Sequence, residues 1–422
     1  MVSLRIWVLF PIVTFLGGCV RYAPWGPGHP DPIKQIRERV TDVRDLKFSH
    51  EVGVLFANAE SIKSRIDTDL QQDLRGRKLE DISLAYAKLG LLPWGVDLRS
   101  SLLNFYSSQT WGFYDSRAKK VVLPEKGRKD REDEKILVHE LTHGLQDQHF
   151  SLGHELRRAV NADAALALRS VAEGDAVLTE YAYSFGRLDE WLPAYVHQVL
   201  SNGAEEAVFP GIPAVIGDKV QFQYGAGTRF VLRFVGKNGW APVNLLYKYP
   251  PLSTEQVLHP EKYLESPDPP TRINLGDLST LFSSEWREIE NDTLGELMIQ
   301  CLFKEFLGAK AAAAVADGWD GDRFVAYQRG EEVAFLWVTV WDSSSDAQEF
   351  FDSYHEVLSV KYDVRPSEKD RFYIEKRDNL VLVVEGLEPE DVKSNIETVW
   401  LKMEIKEESF QPPPLSFLTG GR

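Results

Sequence analysis

Apolar residues recur at three- and four-residue spacing over Ile36–Leu46, Ala59–Leu74 and Leu79–Leu92, which predicts three amphipathic helices. The next stretch, TWGFYDSRAKKVVLP, reads as a β-hairpin. Its parts are an aromatic strand ending at Tyr114, a polar turn Asp115–Lys119 and a strand Lys120–Leu123. EDEKILVHELTHGLQDQHF is strongly helical, with Asp133 and Glu134 in the first turn, where the helix dipole favours negative charge. NADAALALRSVAEGDAVLTEYAYSF predicts a second long helix. GTRFVLRFVGKNG and APVNLLYKY predict a helical hairpin split by Gly239, and the Pro-rich stretch Pro250–Pro270 closes the unit.

From about Asp292 the texture changes. A helix over Leu294–Leu307 and an Ala-rich helix over Ala309–Ala316 lead into the alternating strands RFVAYQ, VAFLWVTVW, RFYIEKR and LVLVVEG. Helices at Ser345–Leu358 and Pro389–Lys402 are interleaved with them, an order that predicts a small α+β sheet domain. The expected divisions are a leader at 1–19, a tether at 20–33, a mainly helical unit with a small hairpin at 34–285, and an α+β domain at 286–405. The tail 406–422, rich in Pro, Gly and Ser, predicts disorder.

The leader carries the address. Arg5 precedes an apolar run, Ile6–Leu16, that is too short to span a bilayer. Leu16-Gly17-Gly18-Cys19 resembles a bacterial lipobox, which implies cleavage before Cys19 and lipidation of its thiol. Val20 follows, so the Asp that retains lipoproteins in the inner membrane is missing; the expected place is the cell envelope, at the outer membrane if the host has one. A formal charge of −16 leaves no basic stripe for nucleic acid. The only cysteines are Cys19 and Cys301, so with the first lipidated no disulfide is expected, and Cys301 reads as an inert core residue.

The chemistry is concentrated in HELTHGLQDQHF. His139 and His143 lie one helical turn apart and can face one metal, while Glu140 is offset by about 100° and can reach water at that metal. Zinc makes such water acidic, and Glu140 would accept its proton as it attacks a carbonyl. The apolar residues Ile136, Leu137, Leu141 and Leu145 would bury the site.

Two residues compete to be the third protein ligand. His149 lies six residues past His143, the metzincin spacing, but the Gly that lets a metzincin chain turn back is Gln146 here, and Gly144 comes too early. On a continuing helix His149 sits about 240° around from His143 and faces away. Glu173, in SVAEGDAVLTEY, lies on the next long helix among Ala172, Gly174 and Ala176, which allow a close helix approach. A carboxylate on such a face has reason to be buried only if something pairs with it. Glu173 is therefore the expected ligand, completing the hydrolytic set of two imidazoles and one carboxylate. Asp175 and Asp147 are candidates to orient a ligand histidine through its other ring nitrogen.

HExxH on one helix and Glu on the next resembles the gluzincin group of zinc metallopeptidases. More closely, GFYD, HELTHGLQDQHF, AEGDA, PPLSTEQVLHPEKY and GWDGDR resemble a family of uncharacterised bacterial and haloarchaeal surface proteins and lipoproteins, over roughly residues 40–350. The resemblance implies His139, His143 and Glu173 as zinc ligands and Glu140 as the base, but no established substrate. The fold class expected is α+β: a zincin-like, mainly helical catalytic domain with a small hairpin, then a smaller α+β domain. The function expected is zinc-dependent hydrolysis of peptide bonds by a lipid-anchored protein; the alternative is a non-catalytic metal-containing surface lipoprotein that binds a partner. The GFYD hairpin could offer an edge strand to a peptide. His259 is a candidate to stabilise an oxyanion, with Tyr181 and Tyr183 behind it. DGWDGD at Asp317–Asp322 lacks the Glu of a calcium loop and reads as a tight turn.

Overall fold

The computed structural model describes residues 32–74, 76–109, 112–125, 131–185, 211–235, 239–363, 371–408, 410 and 412. The leader, Cys19 and the tether as far as Asp31 lie outside the described residues. The architecture is mixed α+β. Among the described residues no helix is long and apolar enough to cross a membrane.

Two long helices centre the first unit. The HExxH motif lies in Arg131–Phe150, and a short helix, Leu152–Arg158, connects it to the Ala-rich helix Ala162–Phe185. Every residue of the latter from Ala162 to Thr179 is buried, so this helix is wrapped on all sides, as its Ala- and Gly-rich sequence permits. Its closest neighbour is a helix built in three parts: Ala214–Gln221, a π turn at Phe222–Ala226, and Gly227–Leu232. The first arm of the expected hairpin is thus the end of a longer helix. Gly217, Gly225 and Gly227 interrupt its pattern in sequence, and burial compensates for their low propensity. The second arm forms at Ala241–Lys248 after Gly239, which has φ +64°.

A three-stranded sheet lies against the motif helix. The hairpin forms as the pattern predicts, with β2 at Phe113–Asp115 and β3 at Lys120–Pro124 paired antiparallel. Asp115 shapes the turn by accepting the amides of Arg117 at 3.0 Å and Ala118 at 2.8 Å. The sequence reading has no counterpart to β1, Gly53–Ala57, which pairs parallel to β3 and leaves β2 as an outer strand. GVLFA shows no alternation, and its partner comes more than sixty residues later.

The C-terminal part is a five-stranded antiparallel sheet, with β4 (Thr271–Asn274) standing outside it. Its strands are β5 (Arg287–Asp292), β6 (Trp319–Arg329), β7 (Glu332–Trp341), β8 (Phe372–Arg377) and β9 (Leu380–Glu385), in the order β5-β6-β7-β9-β8. Along β7 the side chains alternate between two cores. Phe335, Trp337 and Trp341 face the main cluster, which runs from Ile36 to Val383; Ala334, Leu336, Val338 and Val340 face a second one with Leu382, Val392 and Ile396. Both faces are covered, which is why VAFLWVTVW reads as a continuous apolar run. β4 pairs antiparallel with β10 (Glu404–Glu407), so Lys406 and Glu407, at the start of the expected disordered tail, are in a strand.

DGWDGD forms a knot between sheet and helix. The Asp322 carboxylate accepts the Leu294 and Gly295 amides, each at 2.9 Å, and the indole N–H groups of Trp319 and Trp337 at 3.2 and 3.1 Å. It thereby caps the helix Gly295–Leu307 from a neighbouring strand.

Candidate metal centre

Helical geometry delivers the two histidines and a backbone crossing delivers the carboxylate. The His139 and His143 rings stand 4.7 Å apart between centroids, at 80° to each other. Their Nε2 atoms converge on one oxygen: Glu173 Oε2 lies 3.2 Å from His139 Nε2 and 3.6 Å from His143 Nε2. The three ligand atoms lie within 4.8 Å of one another, and all three side chains are buried. Gly174, next to Glu173, faces the other neighbour of its helix: a Cβ there would be 2.4 Å from the Gly227 carbonyl oxygen, so only glycine lets the Ala-rich and π-containing helices touch.

The donor set could hold a metal ion. Burial lowers the proton affinity of His139, leaving the neutral imidazole that a metal requires. Burial alone would raise the Glu173 carboxyl, but its contacts with the two facing histidines hold it down to about 2. Glu140 stays outside the set. It is fully buried, and its carboxyl is pushed well above the ordinary range, first by burial and then by the charge of Glu173. The Tyr114 amide of β2 approaches it, yet neither carboxylate oxygen has a hydrogen-bond partner of ordinary geometry among the described residues. The arrangement offers three ligands and one adjacent carboxylate able to move a proton.

The motif helix continues unbroken through Gln146 to Phe150. His149 is carried away from the site and donates from Nε2 to the Lys47 carbonyl at 2.7 Å. Gln146 contacts a ligand instead, with its Oε1 2.8 Å from His143 Nδ1. Sequence reading considered that position only as a missing glycine; its signal was the i+3 spacing from His143.

Both carboxylates expected behind the histidines stand elsewhere. Asp175 does not touch an imidazole; it accepts from Gln146 Nε2 at 3.1 Å, from Arg44 Nε at 2.6 Å and from the Tyr247 hydroxyl at 2.7 Å. Two residues past Glu173 on a helix, it is turned some 200° from the ligand face and reaches His143 only through Gln146. Asp147 accepts from Tyr114 at 3.1 Å and pairs with Lys119, tying the motif helix to the hairpin.

The oxyanion candidates are corrected as well. His259 lies 3.0 Å from Glu296, next to Glu261 and Asp317. Its helix, Thr254–Leu258, meets the Ala-rich helix at Asp163, ten residues and so about 15 Å before Glu173. Tyr183 hydrogen-bonds Glu134, and Tyr181 is buried in the hydrophobic cluster. The tyrosine beside the site is Tyr224, on the π turn. Its ring stacks 6.1 Å from that of His139, and its phenol is hydrogen-bonded to Glu173. Burial, followed by the charges of Glu173 and Glu140, pushes that phenol well above its usual range. A π turn at such a place is common in functional sites; the sequence marks it only by the small residues of YGAG.

A second cluster of carboxylates, Glu255, Asp268 and Asp342, already holds a cation. Lys262 Nζ lies 2.6, 3.1 and 2.5 Å from them.

A family described as "Domain of unknown function (DUF8575)" matches residues 281–395, which contain strands β5 to β9 and exclude the histidine motif. No curated protein and no solved structure matches the chain.

Proposed function

We propose that this protein is a zinc metallopeptidase, anchored in the cell envelope through Cys19, that hydrolyses peptide bonds. The observation that carries the reading is Glu140: a fully buried carboxylate beside a convergent two-histidine, one-glutamate set and not part of it. A site that only held a metal for stability would gain nothing from that costly burial.

His139, His143 and Glu173 would hold the ion, which when bound supplies a Lewis acid and a source of nucleophilic water near neutral pH. Glu140, with its raised proton affinity, is suited to take a proton from water and return it to the leaving amine. Tyr224 stands where its hydroxyl could stabilise charge developing on a carbonyl oxygen. The outer strand β2 brings the Tyr114 amide beside Glu140, so the hairpin borders the site.

A second reading draws on the near-complete burial of the ligands, which is typical of structural zinc. In it the protein is a non-catalytic, metal-containing lipoprotein that binds a partner. Glu140→Gln separates the two. It keeps shape and zinc but removes the base, so cleavage of unfolded casein should fall by about 10²–10⁴-fold at unchanged zinc content. Equal activity in wild type and variant, or none in either against a broad peptide library, would favour the second reading.

A further inference from the structure

We infer that Gln146 is a neutral relay that sets the tautomer of His143 and passes to it the hold of the buried Arg44–Asp175 ion pair. The inference rests on the metal-site reading above. The orientation of the amide follows from its neighbours. Gln146 Nε2 lies 2.9 Å from the Ala172 carbonyl oxygen and 3.1 Å from Asp175 Oδ2. The first can only accept, so the amide nitrogen must face that side. Oε1 is thereby turned to His143 Nδ1 at 2.8 Å.

An amide oxygen cannot donate, so Nδ1 must carry the ring proton. A neutral imidazole has one N–H; Nε2 therefore keeps its lone pair. Nε2 is the atom 3.6 Å from Glu173 Oε2, on the side where His139 Nε2 also points. The tautomer needed for a metal is thus written into the hydrogen bonds of the protein itself.

Asp175 is in turn unable to swing. Arg44 grips it from Nε at 2.6 Å and from a terminal nitrogen at 3.1 Å, Tyr247 donates at 2.7 Å, and both Arg44 and Asp175 are fully buried. Arg44 ends the helix Pro32–Arg44, so the first helix of the described chain is joined to the ligand through three side chains. An amide between carboxylate and imidazole transmits position without placing a negative charge on the ring. Gln146 is accordingly a positioning residue; in this scheme it touches neither metal nor substrate.

The tautomer is measurable without activity. In the purified full-length protein stripped of metal, ring ¹⁵N shifts of labelled histidine, assigned with His143→Ala and read where the ring is neutral, should show His143 as Nδ1–H alone. Gln146→Leu and Gln146→Met should show a mixture, and should bind zinc about 10–100-fold more weakly in competition with a chromophoric chelator. An Nε2–H ring in wild type, or a tautomer unchanged in both variants, would overturn the relay. If wild type shows the Nδ1–H ring and loses it in the variants but takes up no zinc, the relay stands and the metal-site reading is what fails.

Discussion

A methyl group on Gly227 would stand 2.2 Å from the carbonyl oxygen of Ser170, well inside contact distance. The backbones of the π-containing helix and the Ala-rich helix therefore touch, and that contact seats Tyr224 against Glu173. Gly227→Ala should force the helices apart, lowering unfolding stability in urea by about 1–3 kcal/mol and weakening zinc binding at the same time. Gly225→Ala is the control: its Cβ would meet only the end of Arg229, at 3.6 Å. Equal behaviour of the two variants would mean that the crossing is not what builds the site.

Ligand assignment is tested by contrast. Glu173→Ala should abolish or strongly weaken zinc binding, whereas His149→Ala, altering a side chain bonded to Lys47, should leave it intact. Zinc per protein, determined by elemental analysis after dialysis, decides. Full occupancy in Glu173→Ala would remove that residue from the site.

Stability should carry a pH signature of Asp163. Its carboxyl is pushed up to about 8, chiefly by burial, although Thr254 donates to it from both backbone and hydroxyl. The native state thus holds this proton more tightly than the unfolded chain, where the group titrates near 3.8. Its contribution is therefore lost as pH rises from about 4 to about 8, with a slope of at most about 1.4 kcal/mol per pH unit for the one proton. Asp163→Asn should flatten that part of the curve in urea titrations at a series of pH values; an unchanged slope would assign it to other groups.

Anchoring is tested at the first cysteine. Cys19→Ser should release the protein from membranes or block processing of its leader, since the proposed anchor is a lipid on that thiol. Unchanged fractionation with membranes would mean that Ile6–Leu16 acts as an uncleaved anchor.

Periodic, local features were legible in sequence, and features made by contact between distant segments were not. The motif helix could be read from its spacing, as could β7 and the hairpin turn at Asp115, because each is fixed by its own residues. So could the burial of Glu173, from the small residues around it. β1 was invisible because its partner is remote, whereas Leu98–Gln109 does carry a local signal, with its buried Leu98, Leu102 and Phe105 spaced along one helical face, that went unread. Asp175 was misplaced and Tyr224 missed for a shared reason. Which side chain stands behind a histidine depends on how far a helix has rotated at a crossing, and no single segment records that angle.

The pairing of β4 with β10 has a consequence for how the molecule is made. Thr271–Asn274 must wait for Glu404–Glu407, about 130 residues later. During synthesis the edge of β4 stays bare until those residues have emerged. A chain cut short before residue 404 would keep every residue of the metal site and still lack this closing strand. Synthesis of that strand is in that sense a checkpoint, registered only after the ligands have been made.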